Sequence, residues 1–590
     1  MRRFNAARLL GLVAVLALVA SGCGSSGNDN NDTSVSDATD AGDTTGKKGG
    51  AITVLSISDV DSLDPGYWYY QYDYQALQQP TQRSLYGWEP AKTTPSPDIA
   101  AAMPETSPDG KTITIKLKPN IRYSAPLANR TVTSADVKYA LERCFLPQVG
   151  NGYTGVYFSQ IEGVKAYSDG KAKEITGIQT PDDTTLVLQL AAPVGVLSNG
   201  QALSLPASVP VPKDYAQKYD KGKVSEYGRH QVFTGPYMIA NDGKGKLTGY
   251  TPGKKIELVR NPSWDASTDY RPAYADKITL LGGNDVGVAS RKILSGKGLL
   301  SGDFAAPPTD VLKSALKTNK DQLNIEPSQS IRYISLNSKV KPFDNVSVRR
   351  AVSAVIDRNT LRLTRGGPTL GPTASHFLAP ELPGFEEAGG LEGPDFDFVS
   401  NPDGNLKLAQ EYMKKGGYPS GKYTGKALLM VGDNQPPASK TGEAVQSQLE
   451  SLGFKLTYRQ VSHPTMLSKF CQSPKAKVAI CPNLGWGKDF FDSQSMLDPT
   501  VNGRNIVQSN NVNTAEIDDP RINALLDKAT SETDLGARAK TYAEVDRLLT
   551  EGAYYVPWLW DNQVNFTSKD VKGVRSKFNS SWDLSFSSLK

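Results

Sequence analysis

The first chemistry to test in this 590-residue chain is a nucleophile with a base beside it. Ser338-Lys339-Val340-Lys341 has the Ser-x-x-Lys spacing of a serine acylated with lysine assistance, and Lys440-Thr441-Gly442 matches the Lys-Thr-Gly that accompanies it. That chemistry needs the serine to open a helix and Lys-Thr-Gly to lie on a strand. Here Ser338 closes a strand-like run from Arg332 to Asn337, and Thr441-Gly442 opens a helix. Both patterns therefore read as chance matches, and no catalytic residue is assigned. No Gly-x-Ser-x-Gly, His-Glu-x-x-His or phosphate-loop pattern occurs. His230, His376 and His463 are far apart, and none sits at metal-ligand spacing with another His or a Cys. The sequence implies no metal and no cofactor. Cys471 and Cys481 flank a Pro-containing stretch of hairpin length. A disulfide there is expected to contribute about 2–3 kcal/mol by loop closure. Cys144, on a helix with Leu141 and Phe145, reads as a buried thiol.

These residues need a scaffold. Order is expected to begin at Gly49-Gly50, with Ala51 to Ile57 as a strand. Lys111 to Lys118 alternates apolar with polar residues after the turn at Pro108-Asp109-Gly110, and Thr184 to Leu190 repeats the pattern. Ser134 is the expected N-cap of a helix running to about Phe145. Further on, Asn405 to Lys415 reads as a helix, Lys426 to Val431 as a strand, Gly442 to Leu452 as a helix and Phe454 to Gln460 as a strand. Strand, helix, strand is a βαβ unit, which predicts a mainly parallel sheet. A last helix spans roughly Leu535 to Thr550.

The start of the chain speaks to its destination. Arg2, Arg3 and Arg8 precede twelve apolar residues, Leu9 to Ala20, a secretory leader too short to span a bilayer. It ends at Ala20-Ser21-Gly22-Cys23, small residues before a Cys, as in a bacterial lipobox, with Ala20 where Leu is usual. The plainer reading is an ordinary cleavage site with Cys23 incidental. Gly24 to Gly46, rich in Gly, Ser, Asn, Asp and Thr, reads as a flexible tether. Together these predict an exported lipoprotein on the extracytoplasmic face, held to the membrane by lipid alone. With 66 basic and 61 acidic side chains, the net charge of +5 is too small for an electrostatic nucleic-acid binder. Ordinary hydrophobic (38%) and charged (22%) fractions exclude a disordered or collagenous chain, and the length predicts two or three lobes.

Several stretches, in order, resemble the solute-binding proteins of bacterial peptide ABC importers, the oligopeptide- and dipeptide-binding family. They are Leu63-Asp64-Pro65, Ser107 to Thr112, Thr131 to Arg143, Thr234-Gly235-Pro236-Tyr237 and Leu258 to Trp264. The most specific are Tyr333 to Asn337 with Pro342 to Val352 and Ile356-Asp357-Arg358. Gly485-Trp486-Gly487-Lys488-Asp489-Phe490-Phe491-Asp492 completes the set, with Ser493 in place of the usual Pro. Each block also has a structural reading: Asp344 or Asn345 caps a helix, Arg349 and Arg350 are solvated or ion-paired, and Trp264, Trp558 and Trp560 are core.

The resemblance implies an α/β, two-lobed periplasmic-binding-protein-like fold with a hinge and an inserted third domain. Carried over, residues 1–22 are the signal peptide and 23–48 the lipidated Cys and tether. Lobe I is 49–90, 210–332 and 556–590, the insert is 91–209, and lobe II is 333–555. It further implies a monomer that is not an enzyme and captures a short peptide for the permease subunits of an importer. The backbone of Gly485, Trp486 and Gly487 would pair with an extended peptide, Asp489 would meet its α-amine, and Phe490 would adjoin it. The plainer alternative is that Asp489 caps a local turn with Asp492. Arg365 is the expected cation for the ligand's carboxylate. Tyr69 and Tyr72, within the aromatic run Tyr67 to Tyr74, wall the cleft, stack on a sugar or serve as core. The same scaffold admits a non-peptide solute, such as an oligosaccharide, an opine or a metal complex. A serine penicillin-recognising enzyme is the remote alternative.

Overall fold

The computed structural model describes residues 43–69, 71–302 and 307–590. The expected signal peptide, Cys23, the tether as far as residue 42, and Tyr70 lie outside the described residues. Contrary to expectation, the last tether residues are held against the body. Lys572 Nζ bonds Asp43 Oδ2 at 2.6 Å and the Thr45 carbonyl at 2.7 Å, and the Tyr274 hydroxyl donates to the Thr44 carbonyl at 2.9 Å. These contacts are polar and come from distant residues, so composition alone gives no sign of them.

Three sheets organise the chain. The first has six strands, in spatial order Leu299–Ser301, Ala51–Leu55, Lys277–Leu281, Lys255–Arg260 and Tyr237–Ile239, with Tyr250–Thr251 also pairing Lys255–Arg260. The second is a four-stranded antiparallel sheet of Glu105–Thr106, Thr112–Lys116, Thr185–Gln189 and Ile178–Asp182. The third orders Leu456–Val461, Leu428–Asp433, Ile480–Gly487, Leu323–Leu336 and Tyr555–Phe566. Its βαβ unit is present: Leu428 pairs Leu456 in parallel register across the helix Ala438–Ser451. The sheet is mixed, however, because Leu323–Leu336 runs antiparallel to both its neighbours.

Local chemistry explains the element ends. The helix Ser134–Arg143 is capped by Thr133, not Ser134, in a reciprocal box with Asp136, which satisfies two otherwise orphaned N–H groups. Asn345 caps Val346–Val355, and Asn405 caps Leu406–Lys415. The helix holding Lys440-Thr441-Gly442 begins at Ala438, so that tripeptide is helical. Ser338 donates to the carbonyls of Ala515 and Glu516 at 2.9 and 3.1 Å.

Val348, Ala351 and Val352 turn into a core with Met413, Leu449 and Trp558. Arg349 is not solvated, and among the described residues it has no ion-pair partner. It is buried, donates to the carbonyls of Phe343 and Gly552, and lies 4.1 Å from the Tyr554 ring centre. Arg350 does meet Glu551, at 3.7 Å. Trp558 and Trp560 are core, whereas Trp264 is half-buried with its indole N–H on Asp269 at 2.8 Å. Two long strands, Leu323–Leu336 and Tyr555–Phe566, pair along their length and tie the five-stranded sheet to the six-stranded one. Thr567 bridges Leu300, and the Phe566 N–H donates to Ser301 Oγ at 2.9 Å. No helix among the described residues is long and apolar enough to cross a membrane.

Candidate ligand-binding site

The site is built on the end of the strand Ile480–Gly487. On one side its residues pair with Leu323–Leu336: Gly485 faces Arg332, Trp486 faces Ile331 and Gly487 faces Ser330. On the other side the neighbour Leu428–Asp433 reaches it only at Ile480, opposite Met430. Backbone groups alternate between the two edges of a strand. The Lys488 N–H donates to the Gln329 carbonyl at 3.3 Å, so Lys488 and Trp486 turn toward Leu323–Leu336. Those of Gly485 and Gly487 turn to the edge that Leu428–Asp433 leaves uncovered. A strand's start is fixed here by the disulfide joining Cys481 to Cys471, on the helical turn Met466–Cys471. Cys144 is buried and unbridged.

A cavity of about 360 Å³ lies along this edge, within the range of pockets that hold small ligands. Gly485, Trp486, Gly487 and Asp489 line it, with Tyr69 and Tyr72 on its aromatic wall. Leu467, from the disulfide-linked turn, lines it too. Phe490 does not. It is fully buried and packs edge-on against Tyr157, with ring centres 4.9 Å apart.

Asp489 lies two residues beyond the open strand end at Gly487. It is only 8% exposed, and its Oδ2 accepts from the Tyr157 hydroxyl at 2.5 Å. No other hydrogen-bond partner of this carboxylate occurs among the described residues, so it does not cap a turn. Asp492 does that, accepting from the Gln494 N–H at 2.9 Å. Burial pushes the Asp489 carboxyl up to about 7, against the opposing pull of the Tyr157 hydrogen bond. Stacked phenols continue from there: Tyr157 on Tyr153 (6.1 Å) and Tyr153 on Tyr69 (4.8 Å), with the Tyr153 hydroxyl on the Tyr69 carbonyl at 2.6 Å. Tyr74, which also lines the cavity, bonds the Tyr153 hydroxyl. Neighbouring Lys488 bonds Gln329 Oε1 at 2.8 Å, and burial pushes its ammonium down to about 7.

Arg365 is not the cation that faces this cavity. It is buried and held by Asp561, with Nε to Oδ1 at 2.8 Å and Nη2 to Oδ2 at 2.6 Å. Arg332 shares the same carboxylate, Nε to Oδ2 at 2.6 Å, and lines the cavity. Burial alone would raise the Asp561 carboxyl; Arg365 and Arg332 outweigh it and hold it below its usual value. Sequence reasoning passed over Arg332, Asp561, Tyr153 and Tyr157. Arg332 opens the strand-like run to Asn337, and nothing in its sequence surroundings marks it.

The sequence matches the description "Bacterial extracellular solute-binding proteins, family 5 Middle" over residues 94–508. The chain belongs to this family. It is 25% identical over 493 residues to the dipeptide-binding protein DppE of Bacillus subtilis (strain 168), covering 81% of each chain. It is likewise 25% identical over 507 residues to the glutathione-binding protein GsiB of Escherichia coli O6:K15:H31 (strain 536 / UPEC), covering 85% of this chain and 87% of that one. The solved structure of clavulanic acid biosynthesis oligopeptide binding protein 2 superposes with a TM-score of 0.80 at 27% identity, covering 92% of this chain and 96% of that one. The architecture is the α/β, two-lobed fold of periplasmic binding proteins. Membership in a solute-binding family, not a catalytic one, gives the site its frame.

Proposed function

We propose that the chain is the substrate-binding lipoprotein of an ABC importer and captures short peptides as a monomer, anchored through Cys23. Asp489 carries the reading: a buried carboxylate, partnered by one phenol, at the end of a strand whose outer edge is open. An ammonium enclosed in such a cavity loses its water, and a carboxylate at hydrogen-bond distance offsets the cost. The uncovered backbone groups of Gly485 and Gly487 suit an added strand, which supplies affinity without reading side chains. Relatives named for dipeptide and glutathione binding support the same class. Closure would bend the two long paired strands, between lobes divided as the resemblance implies, and delivery would be to the importer's permease subunits.

Isothermal titration of the full-length protein with di-, tri- and tetra-alanine, free or N-acetylated, tests this. The free-amine peptides are expected to bind, and acetylation to weaken them at least tenfold. Equal binding of the acetylated forms, or binding only of an oligosaccharide, opine or metal complex, would discard the peptide assignment.

A further inference from the structure

Arg332 sits where a second charge on the ligand would have to be read. It pairs directly across the ladder from Gly485, and cross-strand partners project their side chains on the same face of a sheet. Gly485 has no side chain, and the Arg332 guanidinium fills the space above it. A Cβ at residue 485 would lie 2.5 Å from Arg332 Nη1 and 2.9 Å from its Cζ. The guanidinium therefore reaches over Gly485 toward the uncovered edge. Its Nε is committed to Asp561, while Nη1 and Nη2 donate to no residue among those described. The side chain remains 27% exposed, against 9% for Arg365 and 5% for Asp561. Two guanidiniums on one carboxylate leave a net positive charge, and Arg332 is the member of the trio that presents it to the cavity.

We propose that Arg332 is a specificity-determining residue whose free Nη edge binds a carboxylate on the third or fourth residue of the ligand. The inference rests on the peptide reading above, with the α-ammonium at Asp489. Gly485 lies four residues before Asp489, at most about 13 Å at ~3.3 Å per residue and less because the strand ends at Gly487. A ligand strand laid on the open edge with its amine at Asp489 brings its third or fourth residue beside Gly485. That residue presents to Arg332 either its C-terminal carboxylate or an acidic side chain. Both meet the planar fork in the same two-bond geometry.

Titration of the full-length protein with tetra-alanine as free acid and as C-terminal amide, then with amides carrying one Glu at position 2, 3 or 4, separates the two sources. Amidation is expected to weaken binding at least tenfold if the terminus is read. A Glu at position 3 or 4 that raises the affinity of the amide at least tenfold identifies the side-chain source. In Arg332→Gln these differences should shrink to less than threefold while N-acetylation still weakens binding at least tenfold. The peptide series on the unsubstituted protein stands even if that variant misfolds. If amidation changes affinity less than twofold and no Glu position helps, while acetylation still weakens binding at least tenfold, Arg332 has no such role and the peptide reading survives. If no peptide binds in any form, both fall together.

Discussion

Replacing Asp489 by Asn should move stability and affinity in opposite directions, and the structure sets the size of both. The Asp489 carboxyl is raised from 3.8 to about 7 by burial. The ligand-free fold therefore holds a proton there that the unfolded chain releases between these values. Stability from this group is present in full below 3.8 and is lost progressively as pH rises from there through about 7. At pH 8 the ionised, buried carboxylate costs about 4 kcal/mol relative to its unfolded state. Asn fills the same space, still accepts from Tyr157 and never ionises. It should recover about 2–4 kcal/mol at pH 8 and almost nothing at pH 3, where the folded and unfolded chains both hold the proton. For a chain of 590 residues, with an unfolding entropy of about 1.2 kcal/mol/K, that is a rise of roughly 2–3 °C in Tm. Peptide affinity should fall by about 2–5 kcal/mol, thirtyfold or more. Differential scanning calorimetry of the ligand-free proteins at both pH values, with titration calorimetry at pH 8, reads both quantities. An Asn variant less stable than its parent at pH 8, or a peptide affinity within threefold, would refute the assignment of a desolvated ligand anchor.

Other consequences of the same geometry are independent of that variant. Because an ammonium ligand needs Asp489 ionised, affinity for a free-amine peptide should fall about tenfold from pH 8 to pH 6, and binding at pH 7 should release protons measurable from buffers of different ionisation enthalpy. Tyr157→Phe removes the one hydrogen bond that opposes burial, so it should shift this pH dependence upward while leaving the fold intact by circular dichroism. Gly485→Val forces the Arg332 guanidinium aside and crowds the open edge; peptide binding should fall at least tenfold with little change in Tm. Replacing Cys471 and Cys481 by Ala releases a ten-residue loop and should cost about 2–3 kcal/mol, read by denaturant unfolding.

What the sequence disclosed and what it hid divide along a physical line. Gly485 to Asp489 could be placed at the cleft because strand, glycine and carboxylate are contiguous, and contiguity survives folding. The βαβ unit was legible for the same reason: its periodicities are local. Tyr157 could not be found this way. It lies 332 positions from Asp489, on the helical turn Thr154–Phe158, and only the fold brings its hydroxyl to the carboxylate. That Arg332 lines the cavity and Arg365 does not was hidden for a related reason. Arg332 and Arg365 both converge on Asp561, a residue more than 190 positions from either, and which of them faces outward depends on side-chain burial behind the sheet. The absent side chain of Gly485 decides it, since it leaves Arg332 room to lie across the strand. On the proposed reading the glycine would do two jobs, giving a ligand backbone an approach and the guanidinium a path to it, so a substitution there should disturb both charge recognition and strand pairing at once.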